Sequence, residues 1–363
     1  MKHQTARLNS RARARFPLAL RALSGAVPLF LLACGGGDAR PDSTSAAASR
    51  DSAGGAVATV GGDTALSSGG GSASYGAPDD TRAPNEMGRI PVLEYHLIVP
   101  EEKGEFTRTP QQLRADLDEL YKRGYRPVNM VDVIDKKIQS LPRGVSPVVL
   151  VFDDASTTQF RYIERNGKLE IDPSSALGIW LDFAKSHPGW KNRAVFCMLN
   201  GGAVGHNFFG DNPKWGGQKK EWRHQKVKWL ADQGFELCSH TLWHAKLNKY
   251  PDAVVQEQIA RNVMGIDSAV AGYKVRTLAL PYGIWPKNRP LAWQGSWKDP
   301  KTGKTHSYKF DAVLEVAGGP TRSPYDPQFN PKSINRIEAI GSDISRYLNK
   351  LAKDGTRFVP PGK

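Results

Sequence analysis

Cysteine is almost absent from this chain of 363 residues: three occur, Cys34, Cys197 and Cys238. None forms a Cys-x-x-Cys pair, which excludes a zinc ribbon or a dithiol redox motif. Long apolar runs are also missing. The one apolar stretch near the start, Ala22 to Ala33, is too short to span a bilayer. Residues 1–33 contain no acid, but they do contain six basic groups, Lys2, Arg7, Arg11, Arg13, Arg15 and Arg21. The formal charge is +14, and setting those six aside leaves +8 spread over the remainder. No basic block interleaved with aromatics accompanies that excess, so nothing in it argues for a nucleic-acid partner. The Lys-Lys pairs at 136–137 and 219–220 read as solvated faces. From Gly35 to about Gly88 large apolar residues nearly vanish, leaving Gly, Ser, Ala, Thr and Asp. Such a segment buries too little surface to offset its ordering entropy.

What is present at the start is a basic segment, a short apolar segment and Leu31-Leu32-Ala33-Cys34, followed by three glycines. This resembles a bacterial lipoprotein signal with Cys34 as the lipidated first residue; the alternative is an ordinary secretory signal cut near Ala33. The expected organisation is a signal over 1–33, a flexible lipid-anchored tether over 34–88, and a folded body over 89–360. The protein would then be exported and anchored to the cell envelope, on the outer-membrane or periplasmic side. The oligomeric state is not legible.

The body alternates strand-like and helix-like segments. An apolar run at 91–96 precedes Thr109-Pro110, an N-cap and first-turn proline that open a helix with Leu113, Leu117, Leu120 and Tyr121 on one face. Gly124 closes it and 125–130 returns as a strand. Further strands are expected at 147–152, 194–199, 235–239, 277–281, 311–316 and 334–339. Helices are expected around 174–185, 220–232, 252–271 and 343–353, the last capped by Ser342. This alternation predicts an α/β fold with a parallel sheet, and seven to eight strands favour a (β/α) barrel over an open sheet. Chemistry in such barrels lies at the C-terminal strand ends.

Two features fall at those ends. Val148-Val149-Leu150-Val151-Phe152 finishes in Asp153-Asp154, adjacent carboxylates that repel each other unless a cation lies between them. Later, His240-Thr241-Leu242-Trp243-His244 brings two imidazoles to one ion if the segment turns helically. Two imidazoles and a carboxylate form a facial set with open positions, compatible with Zn²⁺ and also Co²⁺, Ni²⁺ or Fe²⁺. A chance His-x-x-x-His is common; one joined by an Asp-Asp strand end and a Pro281-Tyr282-Gly283 turn is not.

Together these residues resemble the polysaccharide deacetylases of NodB-homology type, metal-dependent N-deacetylases with a distorted (β/α) barrel. Val151-Phe152-Asp153-Asp154 is similar to the family's first motif, His240 to His244 to its second, and Pro281-Tyr282-Gly283 to the end of its third. Pro91-Val92-Leu93-Glu94-Tyr95-His96 resembles the opening of exported members acting on poly-N-acetylglucosamine. The resemblance implies Asp153 as general base and Asp154, His240 and His244 as metal ligands. The ion would polarise the acetamide carbonyl and lower the pKa of its water towards ~7, with oxyanion donation from the Tyr282 N–H. Two departures stand out. The base-orienting arginine two residues before the proline is Ala279 here, and the late Leu-x-His is replaced by Ile334-Asn335-Arg336-Ile337. His96 is therefore the candidate acid, with a buried strand-end histidine as its bland alternative, and Arg336 the candidate replacement for the arginine.

The substrate would be an N-acetylglucosamine-type envelope polysaccharide. Trp215, Trp222, Trp243, Trp285, Trp293 and Trp297 suit a glycan groove, with Trp243 and Trp285 as the contact candidates. His206, in a glycine-rich loop, is a further cleft candidate. The stretches 155–173 and 284–310 read as long loops shaping that groove. Cys197 and Cys238 sit in strand-like runs, where free buried thiols are as ordinary as a bridge. Two other functions keep the same fold: hydrolysis of another acyl amide or ester, and glycan binding without turnover. Phosphoryl transfer lacks a phosphate loop.

Overall fold

The structure is a computed structural model that describes residues 82–201 and 208–362. The expected signal, Cys34, most of the tether and His206 lie outside the described residues. Eight parallel strands form one sheet: β1 (Val92–Tyr95), β2 (Tyr125–Pro127), β3 (Ser146–Phe152), β4 (Val195–Met198), β5 (Glu236–Ser239), β6 (Thr277–Ala279), β7 (Ala312–Gly318) and β8 (Ile334–Glu338). β1 pairs with both β8 and β3, so seven of the eight close in chain order into a barrel. β2 stays outside the ring. It pairs with the first half of β3, at Ser146–Val148, while β4 pairs with the second half, at Val151 and Phe152.

The expected elements form for the expected local reasons. Helix α1 (Pro110–Lys122) opens on a complete capping box between Thr109 and Gln112 and buries Leu113, Leu117 and Leu120. The strand after Gly124 ends at Pro127, short of the expected 130. Asn129 starts a short helix α2 (Met130–Ile134) there, its N–H donating to the Asp132 carboxylate at 3.1 Å. Helices α3 (Ala176–Ser186), α4 (Trp222–Asp232), α5 (Asp252–Ala269) and α6 (Asp343–Lys353) follow. Ser342 occupies the N-cap of α6 but makes no side-chain cap bond; its carbonyl accepts from Arg346. Both stretches expected as loops contain antiparallel hairpins, Tyr162–Arg165 with Lys168–Ile171 and Gln294–Lys298 with Thr305–Lys309. Residues 82–88, assigned by composition to the tether, already join the body through mutual hydrogen bonds of Asn85 with Val359.

The barrel strands are buried on both faces, and the two faces feed different cores. Leu93, Leu150, Phe152, Phe196, Leu237, Leu278, Val313 and Ile337 pack outward with the helices. Val92, Val149, Val151, Val195, Cys197, Cys238, Ala279, Leu314 and Ile334 alternate with them and cluster inside the ring, with Met130 and Val133 of α2 beneath. Cys197 and Cys238 are register partners on neighbouring strands and form a disulfide, with Cα atoms 4.2 Å apart. The bridge replaces the two free thiols that were equally compatible with the sequence. Nothing local in either strand reveals it; register does.

Candidate active site

Strand alternation builds the site. Side chains two apart on a strand share a face, so each apolar residue of the barrel lumen has a successor one layer up. Above Val92 comes Glu94, above Val151 Asp153, above Cys238 His240 and above Ile334 Arg336. All four are buried, at 2% exposure or less. Removing such charges from water costs several kcal/mol each unless they find partners. Here they find mainly one another. Arg336 NH1 lies 2.8 Å from Asp153 Oδ2, and its NH2 lies 2.9 Å from Glu94 Oε2. Its Nε donates to the Glu315 carbonyl.

Alternation alone would turn Asp154 away from this layer. Asp154 instead takes φ 76° and Ala155 φ 48°, which swings the second carboxylate back to the same basin. Of nine non-glycine residues with positive φ among those described, five ring the site: Asp154, Ala155, Thr241, His244 and Tyr282. Backbone strain of about 1–3 kcal/mol each is thus gathered at one end of the barrel. Gln159, wholly buried, helps hold it there: its Nε2 donates to the carbonyls of His96 at 2.7 Å and Asp153 at 2.5 Å, tying the ends of β1 and β3 together.

The two histidines converge without the helical turn expected of them. The segment after β5 is a bent loop, with Thr241 at φ 67° and His244 at φ 55°, so the left-handed residues supply the curvature. Gln258 of α5 accepts the Trp243 N–H at 3.0 Å and fixes the bend. His240 Nε2 stands 3.4 Å and His244 Nε2 3.6 Å from Asp154 Oδ1. Donor atoms of these three residues all lie within 4.8 Å of one another. His240 Nδ1 faces the Ala279 carbonyl at 2.9 Å, and a carbonyl can only accept, so Nδ1 carries the proton and Nε2 presents a lone pair to the basin. That Nε2 and Asp154 Oδ1 are both buried without a hydrogen-bond partner. Orphaned buried atoms of this kind are costly, and a divalent cation satisfies a nitrogen lone pair and a carboxylate together. The donor set fits such an ion.

Glu94, His96 and Asp153 form a second group with donor atoms within 4.8 Å. The Arg336 guanidinium already contacts both of its carboxylates and supplies one positive charge between them.

The electrostatics divide the two aspartates from their neighbours. Burial pushes Asp153 up, but Arg336, His240 and His96 outweigh it and hold the carboxyl below its ordinary value. Burial likewise raises Asp154, yet His240 together with the charges of His96 and His244 keeps it far below the carboxylate range. Burial lowers His244 to about 4, with the neighbouring His240 adding to the fall. It also lowers His96, whereas His240 ends above its ordinary value because Asp153 and Asp154 overcome its desolvation.

The remaining candidates fall into place around this centre. His96 is mostly buried, its Nε2 3.4 Å from Glu94 Oε1 and its ring 4.9 Å from the exposed Phe106. Tyr282 rests its ring 4.3 Å from that of His244 and is half exposed, as is Trp243. Trp285 is less free than expected: its Nε1 bonds both oxygens of Glu315, and its ring packs against Trp293 and under Arg289. Trp222, Trp293 and Trp297 pack against the core. Glu94 and Gln159 were not singled out from sequence. A lone acid inside Val92-Leu93-Glu94-Tyr95 was the available signal for the first; the second had none.

A family model described as polysaccharide deacetylase matches residues 191–293. This span holds β4, His240, His244 and the Pro281–Gly283 turn, while the Asp153-Asp154 pair and Arg336 lie outside it. Over that span the chain is similar to the polysaccharide deacetylase family. Among solved structures, the Streptococcus pyogenes deacetylase PplD in complex with acetate is similar at TM-score 0.50 and 16% identity, covering 74% of this chain and 98% of that one. A polysaccharide deacetylase from Bacillus cereus is similar at TM-score 0.50 and 16% identity, covering 73% of this chain and 69% of that one. At this identity the likeness concerns the fold: the (β/α) barrel expected from the deacetylase motifs is the one found. No curated protein matches the chain by sequence.

Proposed function

We propose that this protein is a metal-dependent N-deacetylase of an N-acetylglucosamine-type polysaccharide. The observation that carries the reading is the single buried basin in which an arginine-held carboxylate, Asp153, adjoins an Asp154–His240–His244 donor set with orphaned atoms. When bound, a divalent ion, Zn²⁺ by ligand type, supplies Lewis-acid polarisation of the acetamide carbonyl.

The chain's own residues supply the rest. Asp153, ionised and oriented by Arg336, accepts a proton from the attacking water as its oxygen bonds to the carbonyl carbon. The Tyr282 N–H, in its left-handed turn, donates to the developing oxyanion. His96 delivers a proton to the nitrogen as the C–N bond breaks, so amide and water leave as acetate and a sugar amine. Trp243, Tyr282 and Phe106, each exposed by 41–52%, offer apolar rims for sugar rings on both sides of the centre.

A glycan-binding barrel without turnover drew its support from the loss of the base-orienting arginine and of the late histidine. Arg336 stands 2.8 Å from that base and answers the first; His96 is the proposed answer to the second. The Cys197–Cys238 bridge supports the exported setting, since such bonds persist in oxidising compartments; with a lipidated Cys34 the enzyme would act at the envelope surface.

The test is acetate release from N-acetylglucosamine oligomers alongside small acetyl esters, with and without chelator. Chelator-sensitive release from the oligomers is expected. Release from the esters alone would favour another acyl substrate, and tight oligomer binding with no acetate would favour the binding barrel.

A further inference from the structure

Glu94 is a buried carboxylate in the middle of an otherwise apolar strand. It sits mid-strand in Pro91-Val92-Leu93-Glu94-Tyr95, is 2% exposed, and occupies a lumen layer whose lower neighbours are Val92, Val151, Cys238 and Ile334. Burying it carries a desolvation cost that a Val or Leu would not. Burial raises its carboxyl well above the ordinary value, opposed by the charge of Arg336.

Its two oxygens diverge. Oε1 lies 3.4 Å from His96 Nε2, and Oε2 lies 2.9 Å from Arg336 NH2. The other arm of the same guanidinium holds Asp153 at 2.8 Å. The sequence of contacts His96, Glu94, Arg336, Asp153 therefore crosses β1, β8 and β3 and joins the proton donor to the proton acceptor. Among the described residues, His96 also makes a tilted contact with Phe106, which is itself exposed, and accepts the Gln159 bond at its backbone carbonyl.

We propose that Glu94 is the positioning residue of His96, fixed in place by the guanidinium that also orients Asp153. The inference rests on the deacetylase reading above. Glu94 touches no reacting atom. It sets the ring plane through its contact with Nε2, so that His96 meets the leaving amine in one orientation. Asp153, still held by Arg336 NH1, keeps its place without it.

The experiment is a double-mutant cycle on the full chain, reading kcat and KM for acetate release from N-acetylglucosamine oligomers and bound metal per chain. Glu94→Gln should lower kcat by ~10²-fold, with KM and metal content little changed. His96→Ala should lower it at least as far. The double variant should be no slower than His96→Ala, because residues acting as one unit are non-additive. Glu94→Asp retains the charge beside Arg336 but withdraws from His96; it tests the same point should the Gln variant fold poorly, and a loss over tenfold is expected. Multiplying losses in the double variant, or a Glu94→Gln enzyme within threefold of the parent, would overturn the inference. A parent chain that releases no acetate overturns the deacetylase reading itself, a result seen before any variant is made.

Discussion

The two ends of the barrel lumen each bury acid, and they handle it in opposite ways. At the lower end Glu236 is 2% exposed, yet both its oxygens are engaged: one accepts from Thr277 Oγ1, the other from the Val131 N–H at the start of α2, at 3.0 Å. Helix N-termini present free N–H groups that favour such an acid. At the upper end Glu94, Asp153 and Asp154 share the basin with His240, His244 and Arg336, and Asp153, Asp154, His240 and His244 each retain a buried atom without a hydrogen-bond partner. Burial alone does not mark a functional site. Burial left unsatisfied on strained backbone does, because it persists only where something else completes it.

The sharpest way to break that contrast is at the orphaned atoms. Chelation, or His244→Ala, should reduce acetate release to background while the fold survives, measured by assay and circular dichroism together. Unchanged turnover would make the upper end structural like the lower. Next comes Arg336→Met, which strands two buried carboxylates: turnover should fall by ~10²–10³-fold and stability by about 3–5 kcal/mol, read from denaturant melts. Losing the Cys197–Cys238 bridge by a double Ala substitution should cost about 4 kcal/mol for its separation of 41 residues, with bound metal retained.

The smallest effect belongs to the lower acid. Burial raises Glu236 from 4.5 to about 7, so the folded chain holds its proton more tightly than the unfolded chain. Stability contributed this way is complete below pH 4.5 and is lost as pH rises to about 7, by roughly 3 kcal/mol. Glu236→Gln should flatten that decline in a pH series of melts and leave acetate release intact.

How much of this could be read in the sequence follows from the range of each signal. Asp153-Asp154, the His240–His244 spacing and the alternation of strands and helices are local patterns, and they located one end of the barrel. The contact of Arg336 with Asp153 depends on β8 lying beside β1 and β1 beside β3, which only ring closure decides. The bridge of Cys197 with Cys238 is likewise a matter of register. The left-handed residues Asp154, Thr241 and His244 carry no signature, since none is glycine, and so a helical turn was expected where a bent loop stands. Glu94 was legible as a charge inside an apolar strand, but its partners were not.

The central claim is that two adjacent aspartates divide the work, one as free base and one as ligand. Metal content and acetate release measured side by side for Asp153→Asn and Asp154→Asn test it directly. The account predicts that Asp153→Asn keeps its bound metal and loses release by at least ~10³-fold, while Asp154→Asn loses both. An Asp153→Asn chain stripped of metal, or an Asp154→Asn chain that still binds metal and releases acetate at the parent rate, would contradict it.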